Sequence, residues 1–309
     1  MTSLQLKSIL KILLSIFILS FVGDKVVFFA LNTLNDKVLT GQVVGKLNQY
    51  IKVKDSVNLL VLGSSRANHT IDNIQLDSNS FNMGMDGCSI AYITTLIKLL
   101  SNKPQTLLIQ IDAPCTYDPT YQGEDIQALN LLYNKNDIVK EEFKKLKLSN
   151  PFQDVYWSIS YNSKLLGLIS NYLKPKYDYK TYYGFDSLAV TNDQKRIFTE
   201  RLKTEHEKPC LNSFQLNSIT NNFLAEIKKI SVEKNKNTIF YTAPIYNDSC
   251  KTDNEFLSQV MQSNNFTYYD YSDSLKENNS IDFWKDATHL SNIGASAFTM
   301  SLKKKIFTK

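Results

Sequence analysis

Five short strand-like runs, separated by longer stretches with helical spacing, restrict this chain of 309 residues to an α/β architecture. The runs are Asn58–Leu62, Ser80–Asn82, Thr106–Ile111, Asn237–Thr242 and Phe266–Tyr271. Helical spacing is expected over Ser89–Leu100, with Ser89 as its cap, and over Phe214–Ser231, Asn254–Gln262 and Ser291–Phe307. Asn68 to Asp77 reads as loop. Strands alternating with helices of these lengths predict a parallel sheet covered on both faces, a three-layer α/β/α sandwich. The length suffices for one substantial core with insertions.

Two regions fall outside that alternation. Ile9 to Gly23 is apolar apart from Lys11, Ser15 and Ser20, and a second apolar run covers Val26 to Leu31. A full membrane span needs about 20 apolar residues, which the first run reaches if Lys11 snorkels and the helix continues through Val26. A cleaved signal peptide is the rival reading, but Phe21-Val22-Gly23 is a poor cleavage site. The expected organisation is therefore a membrane anchor over 1–35, a connecting segment over 36–56, and one domain over 57–309. Lys7 and Lys11 before the span favour an inside N-terminus and an exported remainder, against which Lys25 acts weakly. The second region, about 115–210, contains helical segments at Asp137–Lys147 and Tyr156–Tyr172 and an aromatic turn beginning at Tyr177. It reads as a helical insertion over the carboxyl edge of the sheet, where it either shapes a cleft or serves as a structural cap. The aromatics from Tyr182 to Phe185 either contact sugar rings or form the insertion's own small core.

Composition excludes some classes. The net charge of +5 arises from 35 basic and 30 acidic residues spread along the chain, with no basic module interleaved with aromatics, so nucleic acid is not an expected partner. Cys88, Cys115, Cys210 and Cys250 show no CxxC pairing and no clustered histidines, so neither a metal nor another cofactor is expected. In an oxidising compartment the four cysteines can form two disulfides, with three possible connectivities, or remain free thiols.

The chemistry-bearing residues lie near the two ends of the α/β region. The first strand stops at Gly63-Ser64-Ser65, leaving a hydroxyl at the carboxyl edge where open α/β sheets place their chemistry. Asp286-Ala-Thr-His289 supplies a carboxylate and an imidazole just before the last helix. Together they give the side chains of a serine nucleophile system in the order Ser, Asp, His. Of the other histidines, His206 sits in the charged run Glu205-His-Glu-Lys and reads as solvated surface. His69 follows the nucleophile turn closely enough to line the cleft.

On these residues the chain resembles the SGNH/GDSL hydrolase superfamily. Gly63-Ser64-Ser65 is similar to its first block, with Ser64 in place of Asp and Ser65 at the nucleophile. Asn82-Met-Gly84-Met-Asp-Gly87 resembles the second, Asp286-Ala-Thr-His289 the last, and Tyr241-Thr-Ala-Pro244 the strand end that often precedes it. The resemblance covers Asn58 to Gln110 and Thr238 to Phe298. It implies an SGNH/flavodoxin-like fold, Ser65, Asp286 and His289 as catalytic residues, and the backbone N–H groups of Ser65 and Gly87 as oxyanion donors. The layout is similar to membrane-anchored bacterial members associated with surface-glycan modification. This implies a single-pass protein of the cytoplasmic membrane, facing outward, that acts on O-acyl groups, acetyl above all, of a glycan. An esterase needs no partner, whereas an O-acyltransferase requires a multi-spanning membrane acyltransferase to deliver the acyl group.

One block departs from the pattern. The superfamily's third block carries an asparagine after a strand, whereas here Thr106–Ile111 runs into Asp112-Ala-Pro114. Loss of such a donor costs roughly 3 to 4 kcal/mol of transition-state stabilisation. Arg66, Asn68 and Asn82 are the candidate replacements, and Asp112 is a candidate for binding substrate hydroxyls. The departure keeps open a reading from another class, a catalytically impaired domain that binds glycan within an envelope assembly.

Overall fold

The computed structural model describes residues 3–204, 209–277 and 280–306; His206 and Phe307 lie outside them. The fold is α/β. Strands β1 (Leu59–Leu62), β2 (Ser80–Asn82), β3 (Gln105–Gln110), β4 (Lys236–Thr242) and β5 (Thr267–Asp270) form one sheet in the order β2-β1-β3-β4-β5. All four pairings are parallel. In β1 the alternate residues Leu59 and Val61 share a core with Phe298 and Leu302 of the last helix, while Leu60 and Leu62 are equally buried. Burial on both parities explains why the strand reads as a continuous apolar run. The chain leaves β1 toward β2 on one side and returns to β3 on the other, so the topological switch, and with it the expected ligand crevice, lies at the carboxyl ends of β1 and β3.

The chain divides into two compact units. One comprises the chain up to Asn48 together with Leu129–Lys176; the other comprises Gln49–Ala128 and the chain from Tyr177 onward. The 115–210 insertion is thus not one body. Its middle belongs with the N-terminal helix α1 (Ser3–Asn35), because Leu131, Tyr161 and Leu168 bury Phe28 and Val38. The part from Tyr177 belongs to the sheet unit and reaches the edge strand β2, where the Asn82 N–H donates to the Tyr183 carbonyl at 2.9 Å. Gly184 makes this approach possible, since a Cβ there would lie 2.0 Å from the Asn82 oxygen. Helix α1 is long and apolar enough to cross a membrane.

Three local expectations need correction. Asn68 to Asp77 is not loop: helices α2 (Ser65–Thr70) and α3 (Asn73–Leu76) occupy it. Asn68, His69 and Asn73, polar residues that weaken the sequence pattern, are buried with partners, as where Asn73 donates to Ser80 Oγ at 2.8 Å. Helix α4 (Ile90–Lys98) is not capped by the Ser89 hydroxyl; the distant carboxylate of Asp125 accepts from the N–H groups of Ser89 and Tyr92 at 2.7 and 3.0 Å. The helix expected over Tyr156–Tyr172 is broken at Ser163, whose φ of +64° separates a 3₁₀ turn at Trp157–Tyr161 from a helix at Leu165–Leu173. Of the cysteines, Cys210 and Cys250 form a disulfide, and Cys88 and Cys115 are thiols outside any disulfide.

Candidate active site

The turn after β1 can only be made by glycine. Gly63 has a φ of +145°, and a Cβ there would fall 2.7 Å from the Gln110 Cβ and 2.8 Å from the Ala67 Cβ. Ser64 then caps α2, its hydroxyl accepting from the Arg66 N–H at 3.2 Å while donating to Gln110 Oε1 at 2.7 Å. The same amide oxygen accepts the Ser64 N–H at 3.1 Å. Ser65 thus starts the helix with its backbone N–H in the first turn, where no intrahelical acceptor exists.

His289 meets Ser65 from the other end of the chain. Ser65 Oγ lies 2.8 Å from His289 Nε2. His289 Nδ1 lies 2.9 and 3.0 Å from the two oxygens of Asp286. A carboxylate only accepts, so Nδ1 carries the proton and Nε2 is left to accept from the Ser65 hydroxyl, the tautomer a general base requires. Asp286 Oδ1 also accepts the Thr288 and His289 N–H groups at 2.9 and 3.0 Å and the Thr288 hydroxyl at 3.0 Å. Burial alone would raise the Asp286 carboxyl, yet these bonds, led by that of His289, hold it far below the usual aspartate range. The loop is pinched at its base by an antiparallel bridge between Trp284 and Leu290, both buried. Immediately beyond it, Ser291 donates from its N–H to the Phe283 carbonyl and holds the Gly294 N–H on its hydroxyl, which starts the last helix, Asn292–Ile306.

The loop after β2 runs beside the nucleophile turn, with Met83 N–H donating to the Val61 carbonyl and Met85 N–H to that of Gly63. Gly84 is a close-approach position, its missing Cβ lying 2.4 Å from the Asn68 nitrogen. Gly87 stands exposed at a φ of +72° with open space where a Cβ would go.

The candidate replacements for the missing asparagine are otherwise engaged. Asn82, fully buried, donates both amide hydrogens to the carbonyls of Ala67 and Ile71 at 2.9 Å and accepts from the Gly84 N–H at 2.8 Å. The structure therefore assigns Asn82 to holding the β2 loop against α2. Arg66 pairs with Asp112 and donates to the carbonyls of Ala243 and Pro244. The other Asp112 oxygen accepts Gln110 Nε2 at 2.6 Å. Arg66 and Asp112 thus pair beside the turn and tie together the ends of β1, β3 and β4, with the buried Arg66 Nε left without a hydrogen-bond partner. Asn68 turns its amide toward Asp86 at 2.9 Å.

The role of Gln110 and the partner of His69 escaped the sequence, although His69 itself was expected near the cleft. Gln110 orients the Ser64 turn, and its only signal was an amide closing an apolar strand. His69 forms a second imidazole–carboxylate pair with Asp86, at 3.1 Å from Nε2, and donates from Nδ1 to the Asp186 carbonyl at 2.6 Å. Its ring meets that of His289 edge-on, with centroids 6.0 Å apart. Of the aromatic turn, Tyr182 is buried and stacks on Tyr177, while Tyr183 is exposed. No protein family matches the chain, and no curated protein matches it.

Proposed function

We propose that the chain is a membrane-anchored serine esterase or O-acyltransferase with an SGNH-like three-layer sandwich, acting on O-acyl groups of a glycan outside the cytoplasmic membrane. The observation that carries the catalytic part is the continuous chain of contacts from Ser65 through His289 to Asp286. The glycan, the acetyl group and the outward orientation rest on the resemblance to glycan-modifying members, and α1 supplies a helix of sufficient length for the anchor.

In this reading Ser65 Oγ attacks the ester carbonyl as His289 Nε2 takes its proton, and Asp286 stabilises the imidazolium. The N–H groups of Ser65 and Gly87 receive the developing oxyanion. The alcohol leaves with the proton from His289, and a water or sugar hydroxyl, deprotonated in turn by His289, releases the acyl group from Ser65. Water makes the protein an esterase; a sugar hydroxyl makes it a transferase, whose acyl donor then requires a multi-spanning membrane partner.

One observation favours the alternative, an impaired glycan-binding domain: both amide hydrogens of Asn82 and the terminal nitrogens of Arg66 are committed to the protein itself. Hydrolysis of p-nitrophenyl acetate by the full chain in detergent separates the two. Catalysis predicts turnover that Ser65→Ala abolishes, with Ser65 labelled by a fluorophosphonate. Equal rates for both proteins and an unlabelled Ser65 would sink it.

A further inference from the structure

The unit that contains α1 has an apolar face that its own described residues leave largely open. In the Leu165–Leu173 helix only Leu168 turns inward, into the core with Phe28. Leu166, Ile169 and Leu173 follow helical spacing along a stripe turned away from Leu168, with Leu166 82% and Leu173 69% exposed, and the half-exposed Leu165 and Tyr172 flank it on the side nearer Leu168. Phe152, 69% exposed, adds to the apolar surface of the same unit. Lys164 precedes the helix, and Lys174 and Lys176 follow it.

The contacts along α1 fix the depth of this face. A span beginning at Leu4 uses up a hydrocarbon core of about 30 Å after about 20 residues at ~1.5 Å each, close to Asp24. At that level Ser20 Oγ meets the Tyr156 hydroxyl at 2.9 Å, and Asp24 accepts the N–H groups of Trp157 and Ser158 at 2.8 and 3.0 Å. Lys25 Nζ lies 4.1 Å above the Trp157 ring. Tyr and Trp at the boundary, with a lysine beside them, are the side chains that suit the edge of a bilayer. Phe28, against which Leu168 packs, lies four residues beyond Asp24, about 6 Å along the axis. That is headgroup depth, where interfacial helices bury an apolar face.

We infer that the Leu165–Leu173 helix lies in the membrane interface beside α1, its leucines in the acyl boundary and its flanking lysines on anionic headgroups. This rests on α1 being the anchor of the proposed function. The unit is then held by a collar around its span as well as by the span itself, which fixes its tilt.

Spin labels test this in the full chain with Cys88→Ala and Cys115→Ser, reconstituted in nanodiscs of phosphatidylcholine and phosphatidylglycerol. Single cysteines replace Leu13, Leu166, Leu173 or, as an exposed reference, Lys203. The ratio of oxygen to nickel-chelate collisions is expected to rise above the Lys203 value at 13, 166 and 173. If it rises at 13 alone, the anchor stands and the interfacial helix is refuted, leaving that face to a protein partner. If position 13 also gives the aqueous value, the anchor reading fails and takes the inference with it.

Discussion

Ser65 Oγ and His289 Nε2 stand 2.8 Å apart, although 224 positions separate them in the chain. Asp286 completes the relay because it lies in the same pinched loop as His289. The imidazole and its carboxylate partner are therefore delivered by one loop to a hydroxyl placed by a glycine turn and a helix cap.

Asp286→Asn is expected to reduce turnover of p-nitrophenyl acetate by three to four orders of magnitude, roughly the cost of losing the correct histidine tautomer. Its hydrogen bonds hold the Asp286 carboxyl below its ordinary value of 3.8, so they contribute stability that is present above that pH and lost as pH falls through the folded value. The Asn variant should therefore show a shallower loss of stability below pH 3.8 than the wild type, read by circular dichroism. An identical acid limb would contradict this account.

Arg66→Met or Asp112→Leu alone leaves one buried charge without its partner and should cost about 3 to 5 kcal/mol. The double variant should recover much of that loss, because neither charge remains. Chemical denaturation of all four proteins measures the coupling; additive losses would show that the pair is not the unit described.

Gly84→Ala and Gly87→Ala should behave differently. At Gly84 the new Cβ would lie 2.4 Å from backbone, so the β2 loop must move away from α2 and activity should fall with folding. At Gly87 there is room, and only the φ of +72° resists, at about 1 to 2 kcal/mol. Thermal unfolding alongside ester hydrolysis distinguishes them.

The Cys210–Cys250 disulfide joins positions 40 apart. Constraint of the unfolded chain by a loop of that length stabilises the fold by about 4 kcal/mol. Reduction, or Cys210→Ala with Cys250→Ala, should lower the melting temperature of the full chain clearly. Ester hydrolysis at low temperature should survive, since neither sulfur approaches Ser65 or His289 as a bonded partner.

The sheet was legible in the sequence because parallel strands buried on both faces are short apolar runs with abrupt ends, and Leu59–Leu62 is the clearest case. The meeting of Ser65, Asp286 and His289 was legible for a related reason, since each sits beside punctuation that marks an element boundary. What was hidden depends on partners distant in sequence. Asn73 and Asn68 look like loop residues until their partners are known, and Arg66 looks like a replacement oxyanion donor until its pairing with Asp112 is found. The split of the insertion was equally invisible, because Leu168 reads as any helical leucine until it is seen against Phe28.

The Trp284–Leu290 bridge also has a consequence for the order of events during synthesis. In a nascent chain Ser65 emerges long before Leu290, so neither that bridge nor the contact between Ser65 and His289 can form until this late loop has left the ribosome. On the proposed function, the Ser65 hydroxyl therefore gains its base only after the residues of all five strands have been made.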